Sequence, residues 1–276
     1  YARKSDGGDE WGWSGEPTPY TTNAGMKFAE KQLDDPVVNL DGQLFNGTLA
    51  VKVTIPEGAT LRYTTDGSTP TLEDGNTSKT GSFTVKTTTT FRFCLFQDGF
   101  LPSKVVTRSY ILKDNDYYLP VVSIVTDARN LYDDTIGIYV TGTNGKTANQ
   151  DNRKRNFNME WDRPASFEYI ANGHNAKNVE GYFAQEVDIA INGGWSRKYE
   201  PRSLKIKSGK QYDLKNSLDY PFFADKPYNK NKSLLLRNGG NDEYNQTRLK
   251  DAALQQIARV SEFPLNLQSY QPTHVF

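Results

Sequence analysis

Two hydrophobic periods run along this chain, one of two residues over most of its length and one close to 3.6 near the end. From Leu61, apolar and aromatic positions alternate with polar ones: Leu61 and Tyr63, then Phe83 and Val85, then Phe91, Phe93 and Leu95. Alternation of this kind turns one face of a strand inward, and Asp66-Gly67 and Asp98-Gly99 supply the turns between strands. Val106, Arg108, Tyr110 and Leu112, set against Val105, Thr107 and Ser109, give a last strand before Asp114. The pattern predicts a small Ig-like β-sandwich over residues 36–112, of roughly five to seven strands.

Beyond Lys113-Asp-Asn-Asp116 the pattern changes. Leu119-Pro-Val-Val-Ser-Ile-Val125 reads as a short apolar strand, Ala128–Tyr132 as a turn-like segment, and the polar stretch 141–158, with Arg153-Lys-Arg155, as an exposed loop. Alternation returns in Ala165–Ile170 and in Gln185–Asn192, where Val187, Ile189 and Ile191 share one face and Glu186 and Asp188 the other. Gly193-Gly194 interrupts it, Arg202–Lys207 resumes it with Leu204 and Ile206 inward, and Ser233–Arg237 adds another strand. A half-buried antiparallel sheet of about five strands follows. From Tyr244 to Val260 the period becomes helical, with Leu249, Ala253, Ile257 and Val260 on one face, Asp242 as candidate cap and Pro264 as stop. The helix is expected to cross the sheet, so the fold class is mainly β or α+β, a sandwich followed by an antiparallel sheet with one crossing helix.

Residues 1–35 hold Gly-Gly, Pro-Thr-Pro and Asn-Ala-Gly without a sustained period and read as a linker or the remnant of a preceding domain. Tyr270–Phe276 reads as the start of a strand, so the second module, 119–276, is expected to continue past Phe276.

Composition narrows the chemistry. Lys plus Arg and Asp plus Glu are 33 each over 276 residues, leaving no basic excess to hold a phosphate backbone. Nucleic acid is therefore not an expected partner. No apolar run approaches the ~18 residues of a membrane span. Cys94 is the single cysteine, and His174 and His274 are the two histidines, which excludes disulfide frameworks and Cys-rich or two-His metal sites. His174 sits in a polar loop-like segment and His274 near the end, so neither is expected to be catalytic. Cys94, within Phe91-Arg-Phe-Cys-Leu-Phe96, reads as a small buried hydrophobe. Asp114-Asn-Asp116 alone is too little for a calcium site.

Two stretches resemble known families. Ala59-Thr-Leu-Arg-Tyr-Thr-Thr-Asp-Gly-Ser-Thr-Pro-Thr71, followed by a Thr-rich run and Phe91-Arg-Phe93, resembles the fibronectin-III-associated module related to the chitobiase C-terminal domain. That resemblance implies a spacer in a secreted, multidomain bacterial protein. Exposed aromatics could instead stack on sugars, but Tyr63 and the phenylalanines alternate as core residues do. Trp11-Gly-Trp13 with Glu16-Pro-Thr-Pro19 resembles the closing strand of a lamin-tail-like β-domain.

Three ordered segments resemble the spore-coat CotH family of atypical kinases, secreted or surface-associated. They are Leu119-Pro-Val-Val-Ser-Ile124 with Gly137-Ile-Tyr-Val140; Trp161–Glu168 through Ile191-Asn-Gly-Gly-Trp-Ser-Arg197 to Arg202-Ser-Leu-Lys205; and Leu234-Leu-Leu-Arg-Asn-Gly-Gly-Asn-Asp242 with Arg248 and Lys250-Asp251. The resemblance implies a kinase N-lobe-like portion that faces ATP with Mg, in a parent that phosphorylates protein Ser/Thr hydroxyls. Nucleotide-binding candidates are Lys205 on its strand, Gly193 and Gly194 in the preceding loop, Arg197 from that loop, and Asp251 as the carboxylate partner of Lys205, with Glu243 as an alternative. Each has a structural reading too: a solvated strand face for Lys205, a hairpin turn for the glycines, ion pairs for Arg197 and Asp251. Nothing here matches the family's catalytic and metal-binding aspartates, so no catalytic residue and no metal ligand is assigned and the chain alone is not expected to transfer phosphate. The alternative is a non-catalytic surface adhesion or carbohydrate-binding protein, with a glycan as partner. Both readings place the protein outside the cell or on its surface.

Overall fold

The computed structural model describes all residues except 17, 149–150, 173–180 and 240–246, and divides into two compact units, Tyr1–Asp114 and Asn115–Phe276. His174, Asp242, Glu243 and Tyr244 lie outside the described residues.

The first unit opens with an antiparallel pair, β1 (Ala2–Arg3) and β2 (Trp11–Gly12). Its body is a sandwich of two sheets. One holds β3 (Val37–Val38), β5 (Leu49–Thr54) and β8 (Ser82–Val85), with β5 in the centre. The other runs β4 (Gln43–Phe45), β10 (Val106–Leu112), β9 (Thr89–Phe96), β6 (Thr60–Thr64) and β7 (Asn76–Ser78). Alternation does what the sequence predicts: Val51 and Val53 are buried and Ala50, Lys52 and Thr54 exposed. Phe91, Phe93 and Leu95 meet Leu61, Val85 and Tyr110 in one core, and Tyr63 packs against Phe83 with ring centroids 4.9 Å apart. These rings are core, not a sugar platform.

Strand β9 is buried on both faces. Arg92, Cys94 and Phe96, opposite the phenylalanine face, are as enclosed as Phe91. Residues 29–35 run beside 99–104 there, with Glu30 N donating to Gly99 O and Leu33 N to Leu101 O, and the Leu33 side chain joins the core. The Arg92 guanidinium donates to Gly67 O at 2.9 Å and to Thr69 Oγ1, pinning the Asp66-Gly67 turn. Asp66 accepts from Ser68 N and Oγ, which holds its carboxyl below the usual range. The Tyr-Thr-Thr-Asp-Gly-Ser motif is thus a turn-building device.

The second unit is built on a six-stranded sheet. Its order is β19 (Ser233–Leu236), β16 (Leu204–Lys207), β15 (Tyr182–Ile191), β14 (Arg163–Ile170), β11 (Val121–Val125) and β20 (His274–Val275), antiparallel except for β11 with β20. Val187, Ile189, Ile191 and Ile206 sit in a core that Phe167, Tyr169, Leu218 and Phe222 complete. Shorter pairs lie outside this sheet: β12 (Lys146–Ala148) with β13 (Asp151–Arg155), and β17 (Leu218–Asp219) with β18 (Lys230–Asn231). Among the described residues three α-helices are present: α1 (Ala128–Tyr132), α2 (Lys210–Asp213) and α3 (Lys250–Val260). Among the described residues no helix is long and apolar enough to cross a membrane.

Three expectations need correction. Residues 141–158 are not one exposed loop: β12 and β13 pair, and Asn156, Phe157 and Asn158 are buried in a 3-10 turn. The amides make this possible, because Asn156 Nδ2 donates to Asp134 O at 3.0 Å and Asn158 Nδ2 to Lys146 O at 3.1 Å, so burial leaves them satisfied. Ala128–Tyr132 is a short helix, capped by Asp127, which accepts from Arg129 N. The long helix starts at Lys250, with Leu249 at the N-cap position and no side-chain cap, while the expected start and cap, Tyr244 and Asp242, lie outside the described residues. Its apolar positions do not pack across the sheet, for none of its residues is buried.

Two outcomes follow. Phe93→Ala should lower the unfolding free energy by about 3–5 kcal/mol, since it empties a fully enclosed ring site, measured by urea denaturation followed by circular dichroism. Cys94 is 3% exposed and burial pushes its thiol pKa up, so it should resist a disulfide reagent in native protein and react once urea unfolds the chain.

Candidate functional site

At the open end of the β15–β16–β19 sheet lies a cavity of about 370 Å³. Gly193, Gly194, Ser196 and Asn192 line one side, Leu235, Arg237 and Asn238 another, and Asp251, Gln255 and Gln268 close it. Three of the five predicted candidates, Gly193, Gly194 and Asp251, therefore come together although they are far apart in sequence.

The glycine loop is shaped by its backbone. Gly193 has φ +112°, and a Cβ there would stand 2.5 Å from Ser196 Oγ, so only glycine fits. A Cβ on Gly194 would meet nothing within 4 Å, which leaves room for another group to approach the backbone. A 3-10 turn, Trp195–Lys198, follows.

Arg197 is engaged with backbone carbonyls and is not among the residues lining the cavity. Its Nε donates to Gly193 O, and Nη1 donates to Asn158 O and Met159 O, each at 3.1 Å. It fastens the glycine loop to the buried turn at 156–158, and desolvation lowers its pKa. Arg202, buried beneath this region, stacks on Phe157 at 4.3 Å and Tyr139 at 5.0 Å and pairs with Glu200 at 2.5 Å.

Lys205 is exposed at the middle of β16, paired across the sheet with Ala190 on one side and Leu235 on the other. Residues directly opposite one another share a face, so Lys205 lies on the face of Leu235, which lines the cavity. Among the described residues its ammonium makes no hydrogen bond or ion pair. Lys207, two residues on, pairs with Asp162 at 2.5 Å. Asp251 forms its ion pair with Arg237, and none with Lys205.

The residues that sequence reasoning did not single out are those joining the walls. Ser203 Oγ donates to Asn238 Oδ1 at 2.9 Å and accepts from Asn238 N at 3.0 Å, tying the start of β16 to the end of β19. Gln255 stands one helical turn after Asp251 and accepts from Gln268 N, while Arg259 donates to Gln268 O and pairs with Asp225 at 2.9 Å. The signal for Arg237 and Asn238 was their place at the end of a strand, before Gly239 with φ +64°. Among the described residues no group of three or more His, Cys, Asp or Glu could hold a metal ion. The arrangement offers a glycine turn with open space, a guanidinium, a carboxylate, several amides and a nearby ammonium.

Replacing Arg197 by Ala strands the carbonyls of Asn158 and Met159 and should lower stability by roughly 1–3 kcal/mol. Arg197→Lys should recover less than half of that, because one ammonium cannot reach both sides of the clamp; thermal and urea unfolding of the two variants check this.

The comparisons with known proteins bear on the first unit. The family model of the chitobiase/beta-hexosaminidase C-terminal domain matches residues 40–107, the span that holds most of the sandwich and the Arg92-pinned turn. No curated protein matches the chain.

Proposed function

We propose that the second unit is the nucleotide-facing lobe of a CotH-like atypical kinase, with ATP and Mg bound at the cavity between the glycine loop and α3. The observation that carries this reading is that Gly193, Gly194 and Asp251 line one cavity, with Lys205 outside its lining but on the same sheet face as Leu235 of its wall. Those are the residues whose types match a phosphate cradle, a helix carboxylate and a phosphate-neutralising lysine.

The residue set fits the group. Gly194 leaves space for phosphate oxygens to approach the backbone, Lys205 carries a charge with no partner among the described residues, and Arg237 adds a second cation. Asp251 supplies a carboxylate whose partner can change from Arg237 to an incoming cation. Bound ATP would supply the phosphoryl group; this chain's residues hold and orient it. Transfer to a protein Ser/Thr hydroxyl needs further carboxylates to orient the acceptor and bind metal, and this chain assigns none, so its part is binding. The sandwich acts as a spacer, and the protein works outside the cell or on its surface, as its resemblance to modules of secreted proteins supports.

A second reading, glycan adhesion, is favoured by one observation. Tyr1, Trp11 and Trp13 are exposed together on the β1–β2 pair, with Arg3 over Trp11 at 4.9 Å.

Calorimetric titration of Mg-ATP into the protein separates the two. The kinase reading expects saturable binding that Lys205→Ala weakens by at least about tenfold, or 1.4 kcal/mol. A folded protein that takes up no Mg-ATP, while a glycan column retains both it and Lys205→Ala, supports adhesion and removes the nucleotide reading.

A further inference from the structure

Helix α3 lies with its amphipathic character reversed. Its partly buried positions are Asp251, Ala252, Gln255, Ala258 and Arg259, a stripe of polar and small residues at helical spacing. The apolar stripe, Leu249, Leu254, Ile257 and Val260, is 53% to 72% exposed, and Phe263 just beyond the helix is 61% exposed. A contiguous apolar surface of this kind on a folded protein marks an interaction site.

The charges on the outward side say what sort of partner fits. Lys250 stands in the first turn and Glu262 two residues past the last, both exposed, and among the described residues neither makes an ion pair. The other charges of the helix are engaged internally, Asp251 with Arg237 and Arg259 with Asp225. Each of the two outward charges sits at the wrong end of its own helix, a cation at the positive N-terminus and an anion at the negative C-terminus. Among the described residues the favourably placed charges of the same turns, Asp251 and Arg259, face inward to Arg237 and Asp225, so Lys250 and Glu262 stand outward with no ion pair. A second copy packed antiparallel offsets that placement: Lys250 then faces the partner's helix C-terminus and its Glu262, and the reverse contact holds equally.

We propose that this face is the contact between two copies of the chain, an antiparallel helix pair about a twofold axis near Gln256. Gln256 lies midway between Lys250 and Glu262, and the same axis brings Leu249 opposite the partner's Phe263, with Ile257 close to the axis. Such a contact is self-complementary and closes as a dimer. The apolar stripe supplies affinity and the two exposed charge pairs mainly set direction. The proposal is independent of nucleotide binding.

Sedimentation velocity on the protein at about 100 μM, where a contact of micromolar Kd is populated, tests it. The expected species has twice the chain mass, and Ile257→Asp, at an exposed position, leaves the circular dichroism unchanged but gives the monomer. Lys250→Glu should weaken the dimer about tenfold, and Glu262→Lys in the same chain should restore it. Because an acidic residue in the first turn favours the helix itself, weakening by Lys250→Glu is not a loss of helix. A monomer at that concentration, which leaves the face to a different protein, or a dimer that survives Ile257→Asp, overturns the proposal.

Discussion

The pairing of β15 with β16 is the constraint on which the candidate site depends. Ile189 lies opposite Ile206 and Ile191 opposite Leu204, and burying these side chains on one face fixes the register. Because side chains alternate with a period of two, a slip of one residue would carry the whole apolar set to the other face. The same register decides where the polar residues go. With Ile206 inward, Lys205 must face the side of Leu235, and with Ile191 as the last core residue of β15, Asn192-Gly193-Gly194 must leave the sheet at the mouth of the cavity. Burial on one face thus positions chemistry on the other.

A second theme is the use of buried and half-buried arginines as fasteners. Arg92 holds the Asp66-Gly67 turn in the first unit, and Arg197 ties the glycine loop to the 156–158 turn in the second. A guanidinium suits this work, for it offers five donors in a rigid fork and satisfies several carbonyls that no strand could reach. Losing such a residue exposes unsatisfied carbonyls as well as removing a charge. The glycine loop is therefore held from behind, which leaves its outer side open to the cavity.

Strands and turns were legible in the sequence because period-two alternation and Asp-Gly or Gly-Gly breaks report burial directly. Phe91, Phe93, Val187, Ile189 and Ile206 fall where alternation puts them. Three things were not legible. Asn156 and Asn158 read as solvated because composition does not distinguish an amide in water from one bonded to buried carbonyls. The direction of Arg197 was hidden because the acceptors of its Nη1, at 157–159, belong to a distant segment. The partner of Asp251 depends on where β19 ends beside α3, and no local pattern encodes that.

The orientation of α3 connects these points. Hydrophobic periodicity identifies an apolar stripe but not what covers it, and the usual inference, that it faces the sheet, assumes the sheet side is apolar. Here the sheet's open end carries Arg237, Asn238 and Ser203, groups that would lose hydrogen-bonding partners if Ile257 and Leu254 lay on them. Asp251 pairs with Arg237 there instead, Gln255 beside it accepts from Gln268 N, and the geometry of one helix then turns Leu249, Ile257 and Val260 outward. The cavity and the exposed apolar stripe are two consequences of one choice: a helix that presents its polar side inward to build a polar site must show its apolar side to whatever lies beyond.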